Sequence, residues 1–534
     1  MQRLHKPGSL VHVPVEDEAA GTGVPLGAAY TQESEPLGEG RYSRVYRVVH
    51  RKTGARRAVK TAEKLGQKSR VFDIGMECPG RLARHEGNVL RSLDHPNVVR
   101  LYEVFEDQRN VHLVLELCEG GDVLERILVS NGRLPESEIA ALFMQMLFAV
   151  WHLHSHGVVH RDLKPEHFLF SAREPERGKF PPQVAAMKLI DFGLAHWRGS
   201  SFTPDGGTPQ FMSPEAKTSQ VPAGFADRGD MWSLGVVLHA MLVGAFPSPK
   251  LTDHTQKQYF SKSSWSWVSR DALDLLGLLL RQGASSRPSA SAALKHPWAL
   301  ATVAAGKPVP EPLLKGVTSA VQAYASAPSL QRIALLAVAR EVDDVDASDL
   351  RRLFQTLLLR CNGNLTRTAL LHVAEGRDQD AKLVAVAASL AQAFEGVDAK
   401  GSGSVAWTDM LALALGSPGD GSVLPAPRDD ACWRAFDFLG QGGGTVSVAS
   451  LGDVLLKARQ SCDATKLNGL VGEVFPGGLV GSSDFVRLVR GQVAKKPGRR
   501  PKLGCISKLL RCARIPASEP DSNEGRQVTT ISTC

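Results

Sequence analysis

The chain has 534 residues, with 63 Lys+Arg against 55 Asp+Glu for a formal charge of +8, and 43% hydrophobic and 22% charged residues. At about 150 residues per domain this is three or four domains, or one large domain with satellites, and the composition excludes global disorder, a collagen-like repeat and a coiled-coil rod. The eight cysteines (Cys78, Cys118, Cys361, Cys432, Cys462, Cys505, Cys512, Cys534) form no C-x-x-C pair, which argues against a disulfide scaffold or a structural zinc site and for a reducing, cytoplasmic setting.

The opening MQRLHKPGSLVHVPVEDEAAG has no apolar signal core, and Gln2 excludes N-myristoylation. The longest apolar run, 139–153, is broken by Gln145 and is too short for a bilayer, so no membrane-spanning segment is expected. Residues 1–29 are rich in Gly, Pro and acids and read as a flexible arm. From Tyr30 short β-branched runs, SRVYRVVH and VHLVLEL, predict strands; from about Leu134 apolar residues spaced by three and four predict helices. A strand-rich lobe therefore precedes a helix-rich one within 30–299. A Pro-containing linker, KPVPEPL, lies in a junction spanning 300–340; 341–490 reads as helices between Gly-rich loops, and 491–534 as a basic tail.

Leu37, Gly38, Glu39, Gly40, Arg41, Tyr42, Ser43, Arg44 and Val45 form a G-x-G-x-x-S-x-V stretch, where missing Cβ atoms let backbone amides approach phosphate oxygens. The AVK that follows places Lys60 on a strand where its ammonium grips the α/β-phosphates, and Glu86 is its predicted ion-pair partner or else a solvated acid. HRDLKPEHFLF at 160–170 and DFG at 191–193 supply what phosphoryl transfer requires: a carboxylate for the attacking hydroxyl (Asp162), a cation (Lys164) and a metal-binding carboxylate (Asp191).

In this order the motifs resemble a eukaryotic protein kinase over roughly 30–299, with SPE at 213–215, DMWSLGV at 230–236 and an Arg287–Glu215 pair as further matches. Lys164 and the GTP at 207–209 resemble the serine/threonine branch. The resemblance implies a hinge at VLELC, with Leu115 as gatekeeper and Glu116 and Cys118 facing adenine; Asp122 either reaches the ribose or caps a helix. It also implies ATP and Mg²⁺ as cofactors and protein substrates as partners, with no role for nucleic acid. Ser200, Ser201, Thr203 and Thr208 are candidate phosphoacceptors whose phosphate would pair with Arg161. His167 departs from the pattern, which has Asn there as the second-metal ligand. Imidazole nitrogen suits Mg²⁺ poorly and Mn²⁺ better, so His167 is either a poor metal ligand or a histidine that braces the loop equally well.

CNGNLT, KGSGSV, GGGTVS and GGLVGS resemble the centres of EF-hand loops, and a kinase, a junction and four such loops resemble the calcium-dependent protein kinase family. The implied fold is α+β, a bilobal kinase with a β-rich first lobe and a helical second lobe, followed by an all-α EF-hand-like domain. A calcium loop needs oxygen ligands at positions 1, 3, 5 and 12 around Gly at 6. Loop one offers Leu358, Arg360, Asn362 and Ala369; loop three Leu439, Gln441, Gly443 and Ser450; loop four Glu473, Phe475, Gly477 and Asp484. Only loop two, with Asp398, Ser402, Ser404 and Asp409, is a weak Ca²⁺ candidate, and Lys400 falls inside it. The expectation is an enzyme with mostly lost calcium ligands; a nucleotide-binding pseudokinase scaffold is the alternative.

Residues 491–515 hold eight bases and no acid, equal to the whole excess of +8. Wound as a helix, Leu503, Ile506, Leu510 and Ala513 share a face beside Cys505 and Cys512. This is either an acylated seat on an anionic membrane surface or a solvated basic tail.

Overall fold

The computed structural model describes residues 25–40, 43–64, 79–130, 134–172, 186–200, 206–222, 224–248, 251–342, 347–376, 380–398, 401–416, 423–424, 429–440, 445–447 and 479–492. Arg41, Tyr42, Ser201, Thr203, Lys400, the centres of loops three and four, and the tail beyond Gln492 with Cys505 and Cys512 lie outside them.

The first lobe is a five-stranded antiparallel sheet of β1 (Tyr30–Glu39), β2 (Ser43–His50), β3 (Arg56–Glu63), β4 (Leu101–Glu106) and β5 (Asn110–Leu115), in the order β1-β2-β3-β5-β4. Val59, Val111, Leu113 and Val114 are fully buried, as β-branched and aliphatic residues on a covered sheet should be. Helix α1 (Pro79–Arg91) packs on β3, β4 and β5 and buries Ala83, Glu86, Val89 and Leu90. The sheet register sets Lys60 opposite Val45 on one side and Leu113 on the other, on the strand that faces α1.

The second lobe is built on α2 (Glu136–Ser155), apolar nearly all round and buried, with Glu136 and Glu138 in its first turn. It packs against α3 (Asp227–Val243), which ends on Gly244 at φ +68°, a left-handed cap that glycine adopts without a Cβ clash. Arg287 holds Glu215 with two 2.6 Å hydrogen bonds in a forked pair whose Arg287 side chain is wholly buried.

Two helices follow the kinase lobes, α4 (Glu311–Ser326) and α5 (Ser329–Ala339), divided at Pro328 because proline closes the backbone donor there. The junction is therefore a bent pair of helices, and it sits in the centre of the C-terminal module: Leu330 and Ile333 through Ala339 are all buried. Around it stand α6 (Ser348–Arg360), α7 (Arg367–Glu375), α8 (Ala381–Gln392), α9 (Trp407–Leu415), α10 (Asp429–Gly440) and α11 (Ser482–Val489). They form helix–loop–helix units whose loops are cross-linked in pairs, by Val405 N–H donating to Leu365 O at 3.0 Å and by Val446–Ser447 against Leu479–Val480.

The module shares one hydrophobic core with the kinase lobes. Among the described residues no helix is long and apolar enough to cross a membrane. Replacing Arg287 by Ala strands the Glu215 carboxylate, so a loss of about 3–5 kcal/mol and a fall in Tm of roughly 10 °C are expected in calorimetry; an unchanged Tm would show that this pair does not hold the second lobe.

Candidate functional site

Three elements meet at Lys60. From β3 its Nζ donates to Glu86 of α1 at 2.8 and 2.9 Å and to Asp191 Oδ1 at 2.7 Å. Glu86 is 2% exposed and also accepts the Phe192 backbone N–H at 3.2 Å, so it ties the Asp-Phe-Gly segment to α1. Burial alone would lower the Lys60 pKa, but Asp191 and Glu86 outweigh it and raise it. Burial raises the Glu86 pKa against the pull of Lys60, while Asp191 stays well below the ordinary carboxylate range because Lys60 and His167 outweigh its burial. Glu86 thus takes the buried-partner alternative of the two sequence readings.

The catalytic loop hangs from Asp230 on α3. Its carboxylate accepts the backbone N–H groups of His160 and Arg161 at 2.9 and 2.8 Å and lies 2.9 Å from His154 Nε2. Arg161 and Asp191 both have positive φ, 71° and 61°, a strained backbone that this network stabilises. Asp162 Oδ1 accepts Thr208 N–H at 2.8 Å and Thr208 O–H at 2.7 Å. That leaves Oδ2, with Lys164 Nζ 3.4 Å away, as the oxygen for an incoming hydroxyl. Burial opposes ionisation of Asp162, yet His167, Thr208 and Lys164 together hold its carboxyl below the usual range.

Thr208 has a role that sequence reasoning did not give it. Grouped there with the phosphoacceptor candidates, it is spent on Asp162 and receives Lys164 Nζ at 3.3 Å. The only signal for that role is the chain folding back 46 residues later. Asp122 caps the short helix Val123–Val129, accepting Glu125 N–H at 2.8 Å, which realises the capping alternative.

The nucleotide side is consistent with ATP. A Cβ built on Gly38 meets nothing within 4 Å, and one on Gly40 meets only Ser43 at 3.5 Å, so the glycine strand lies over open space. Glu39 and Arg44 pair at the surface at 3.1 Å, and Leu37 is exposed. At the hinge Leu115 ends β5, Glu116 holds the buried Lys188 at 2.9 Å, and Cys118 follows in irregular backbone. Asp191 supplies the hard carboxylate oxygens that Mg²⁺ accepts. His167 stands beside it, 8% exposed at the side chain, with Nε2 3.4 Å from Asp191 Oδ2 and Nδ1 2.7 Å from the Asp162 carbonyl oxygen. Burial pushes its pKa down to about 4 against the pull of the Asp191 carboxylate.

In loop two the acids are engaged within the loop. Asp398 accepts Ser402 N–H, Ser402 O–H and Gly403 N–H at 2.7, 3.1 and 2.8 Å, and Asp409, fully buried, accepts Ala406 N–H at 2.9 Å at the start of α9. Ser404 bonds to Ser402.

Sequence comparison agrees with this geometry. Residues 31–299, half of the chain, match the protein kinase domain family. Calcium-dependent protein kinase 20 of Oryza sativa subsp. japonica is 30% identical over 468 residues, covering 85% of this chain and 78% of the relative. The chain belongs to the calcium-dependent protein kinase family. It is similar, too, to calcium-dependent protein kinase 3 of Plasmodium berghei (strain Anka), 29% identical over 448 residues with 82% of this chain and 74% of the relative covered. Calcium-dependent protein kinase 8 of rice is 33% identical over 356 residues, 65% and 62% of the two chains. As a member of this family the chain is a serine/threonine protein kinase that uses ATP and Mg²⁺ on protein substrates. Asp162→Ala removes both the acceptor for the hydroxyl and the anchor of Thr208; transfer of radiolabelled phosphate from ATP to a generic basic peptide is expected to fall at least about 10³-fold, on the scale of general-base catalysis, with nucleotide affinity retained.

Proposed function

We propose that this kinase transfers the ATP γ-phosphoryl group to protein Ser and Thr hydroxyls without needing calcium. The observation that carries the reading is the closed Lys60–Glu86 ion pair in a chain whose C-terminal module meets both kinase lobes through direct side-chain and backbone hydrogen bonds. Glu341, two residues past α5, accepts Arg57 of β3 and, at 3.2 Å, Arg434 of α10. Arg100 donates to the Arg340 carbonyl at 2.6 Å and Arg340 to the Leu101 carbonyl at 2.9 Å. Beside α1 and β4 Gln355 donates to Asn97 at 2.8 Å and Thr408 Oγ1 to Asp94 at 2.8 Å, and from the second lobe Lys295 Nζ donates to Asn362 at 2.7 Å.

Loop one supports the same reading. Asn362, its one ligand-type side chain at the four positions, accepts Lys295 Nζ of the kinase domain at 2.7 Å, and the backbone of Gly363, at φ +99°, lies so near Trp151 that a Cβ would stand 2.2 Å from the ring. A loop that elsewhere would wrap an ion here serves as a packing contact. The chemistry then falls to fixed groups: Lys60 and Glu86 position ATP, Asp162 orients the hydroxyl and takes its proton, and Lys164 lies beside the transferred group. Asp191, with His167, would hold the divalent ion, Mg²⁺ or Mn²⁺, which offsets phosphate charge.

The scaffold alternative draws on His167 and the missing calcium ligands; against it, a scaffold has no use for Asp162, Lys164 and Thr208 in register. Peptide phosphorylation is expected to differ less than about twofold between EGTA and 1 mM Ca²⁺, far below the 5- to 150-fold of an ordinary allosteric coupling, and Trp407, buried against Phe354, should show no calcium-dependent fluorescence change. A steep rise in rate with calcium would reject this reading. The eight bases of 491–515 and Cys505/Cys512 are proposed as the two signals for a peripheral seat on an anionic cytoplasmic membrane surface. A Cys505/Cys512 double Ser variant is expected to move from membrane to soluble fraction; an unaltered distribution would remove acylation from the proposal.

A further inference from the structure

Glu116 and Lys188 form a buried ion pair that phosphoryl transfer does not itself use. The Lys188 side chain is 1% exposed, and its Nζ lies 2.9 Å from Glu116 Oε1. Glu116 is fixed on its other sides as well: Oε2 accepts the Arg100 backbone N–H at 3.2 Å, and its own N–H donates to the Arg100 carbonyl at 2.9 Å. This residue directly follows β5, at the start of the hinge.

Lys188 belongs to the strand Met187–Leu189, which runs into Asp191, and stands opposite Leu169 of the strand Phe168–Phe170. Backbone bonds pin that strand: Leu189 N–H donates to the Asn97 carbonyl at 2.9 Å, Val99 N–H to the Leu189 carbonyl at 3.0 Å, and Ile190 N–H to the His167 carbonyl at 2.9 Å. Asp191 Oδ1 then accepts from Lys60 at 2.7 Å. One buried ammonium therefore links the hinge to the segment that carries Asp191. Desolvation cancels most of what such a pair gains, and apolar residues of similar volume often serve stability as well, so stability alone does not account for it.

We propose that Lys188 is a positioning residue for ATP: through Glu116 it holds the hinge, at the adenine end of the cleft, at a fixed span from Asp191 and Lys60 at the phosphate end. The proposal rests on the kinase reading of the cleft and adds the group that sets its length. A nucleotide is gripped at both ends only when they stand the right distance apart, and holding them so in advance removes an ordering cost from each binding event. Without the pair each end still binds its own part of the ligand, but the two no longer match one molecule.

The test uses the full chain as wild type and as the double variant Glu116→Gln/Lys188→Met, which removes both charges at nearly constant volume and strands neither. Titration calorimetry in Mg²⁺ compares adenylyl imidodiphosphate, which spans the cleft without turning over, with adenosine, which reaches the hinge alone. Affinity for the triphosphate analogue is expected to fall about 10-fold or more in the double variant, the scale of one charge-assisted hydrogen bond, while affinity for adenosine changes less than about twofold. In peptide phosphorylation KM for ATP should rise correspondingly and KM for the peptide should hold. Glu116→Gln alone, at a side chain 16% exposed, gives the same comparison with the same expected direction if the double variant does not fold. Equal losses for both ligands, or no loss for either, in a variant whose Tm matches the wild type would overturn the positioning role and leave the kinase reading intact. A wild type that binds neither ligand would defeat both.

Discussion

The Lys60 ammonium, buried between Glu86 and Asp191, is the constraint on which the rest of the molecule depends. It joins a strand of the first lobe, the helix that covers it and the Asp-Phe-Gly segment of the second lobe within hydrogen-bond distance. Buried ion pairs contribute little net stability, because desolvation cancels most of the attraction, but losing one partner leaves an uncompensated charge. The arrangement therefore works as a register: when the two lobes and α1 are correctly placed the charges close on one another, and any slippage costs several kcal/mol. Catalytic geometry is held by what misplacement costs more than by the strength of the bonds themselves.

The second lobe applies the same logic to the loop it presents. Asp230 gathers two backbone N–H groups and His154, and in doing so holds Arg161 in a left-handed backbone that nothing local favours. Thr208 then spans from the returning activation segment to Asp162, orienting one carboxylate oxygen inward and leaving the other for chemistry. Behind both lobes the C-terminal module supplies a third set of contacts. Its junction helices are part of its own core, and in its Gly-rich loops Asn362 meets Lys295, Gly363 meets Trp151, and Asp398 accepts from the backbone of its own loop.

Much of the site was legible in the chain because phosphoryl transfer demands particular side chains at short spacings. HRDLKP and DFG declare Asp162, Lys164 and Asp191 as candidates within some thirty residues, and the residues at the ligand positions of the Gly-rich loops can be read off one by one. The strand-then-helix order of the two lobes followed equally from periodicity. Less legible were roles that depend on distant partners. Thr208 resembled any other hydroxyl of its segment, Asp122 fitted two roles equally, and Glu341, 284 residues from Arg57, carried no local pattern at all.

Residue chemistry by itself thus determined the fold class, the kinase reaction and most of the candidate groups for it, since those are set by which residues stand near one another along a few turns of chain. Tertiary structure alone decided where the C-terminal module sits, what its Gly-rich loops touch and which backbone oxygen His167 meets. Each of these is settled by contacts between segments scores or hundreds of residues apart, where burial and the satisfaction of polar groups choose among partners that the local sequence leaves equivalent.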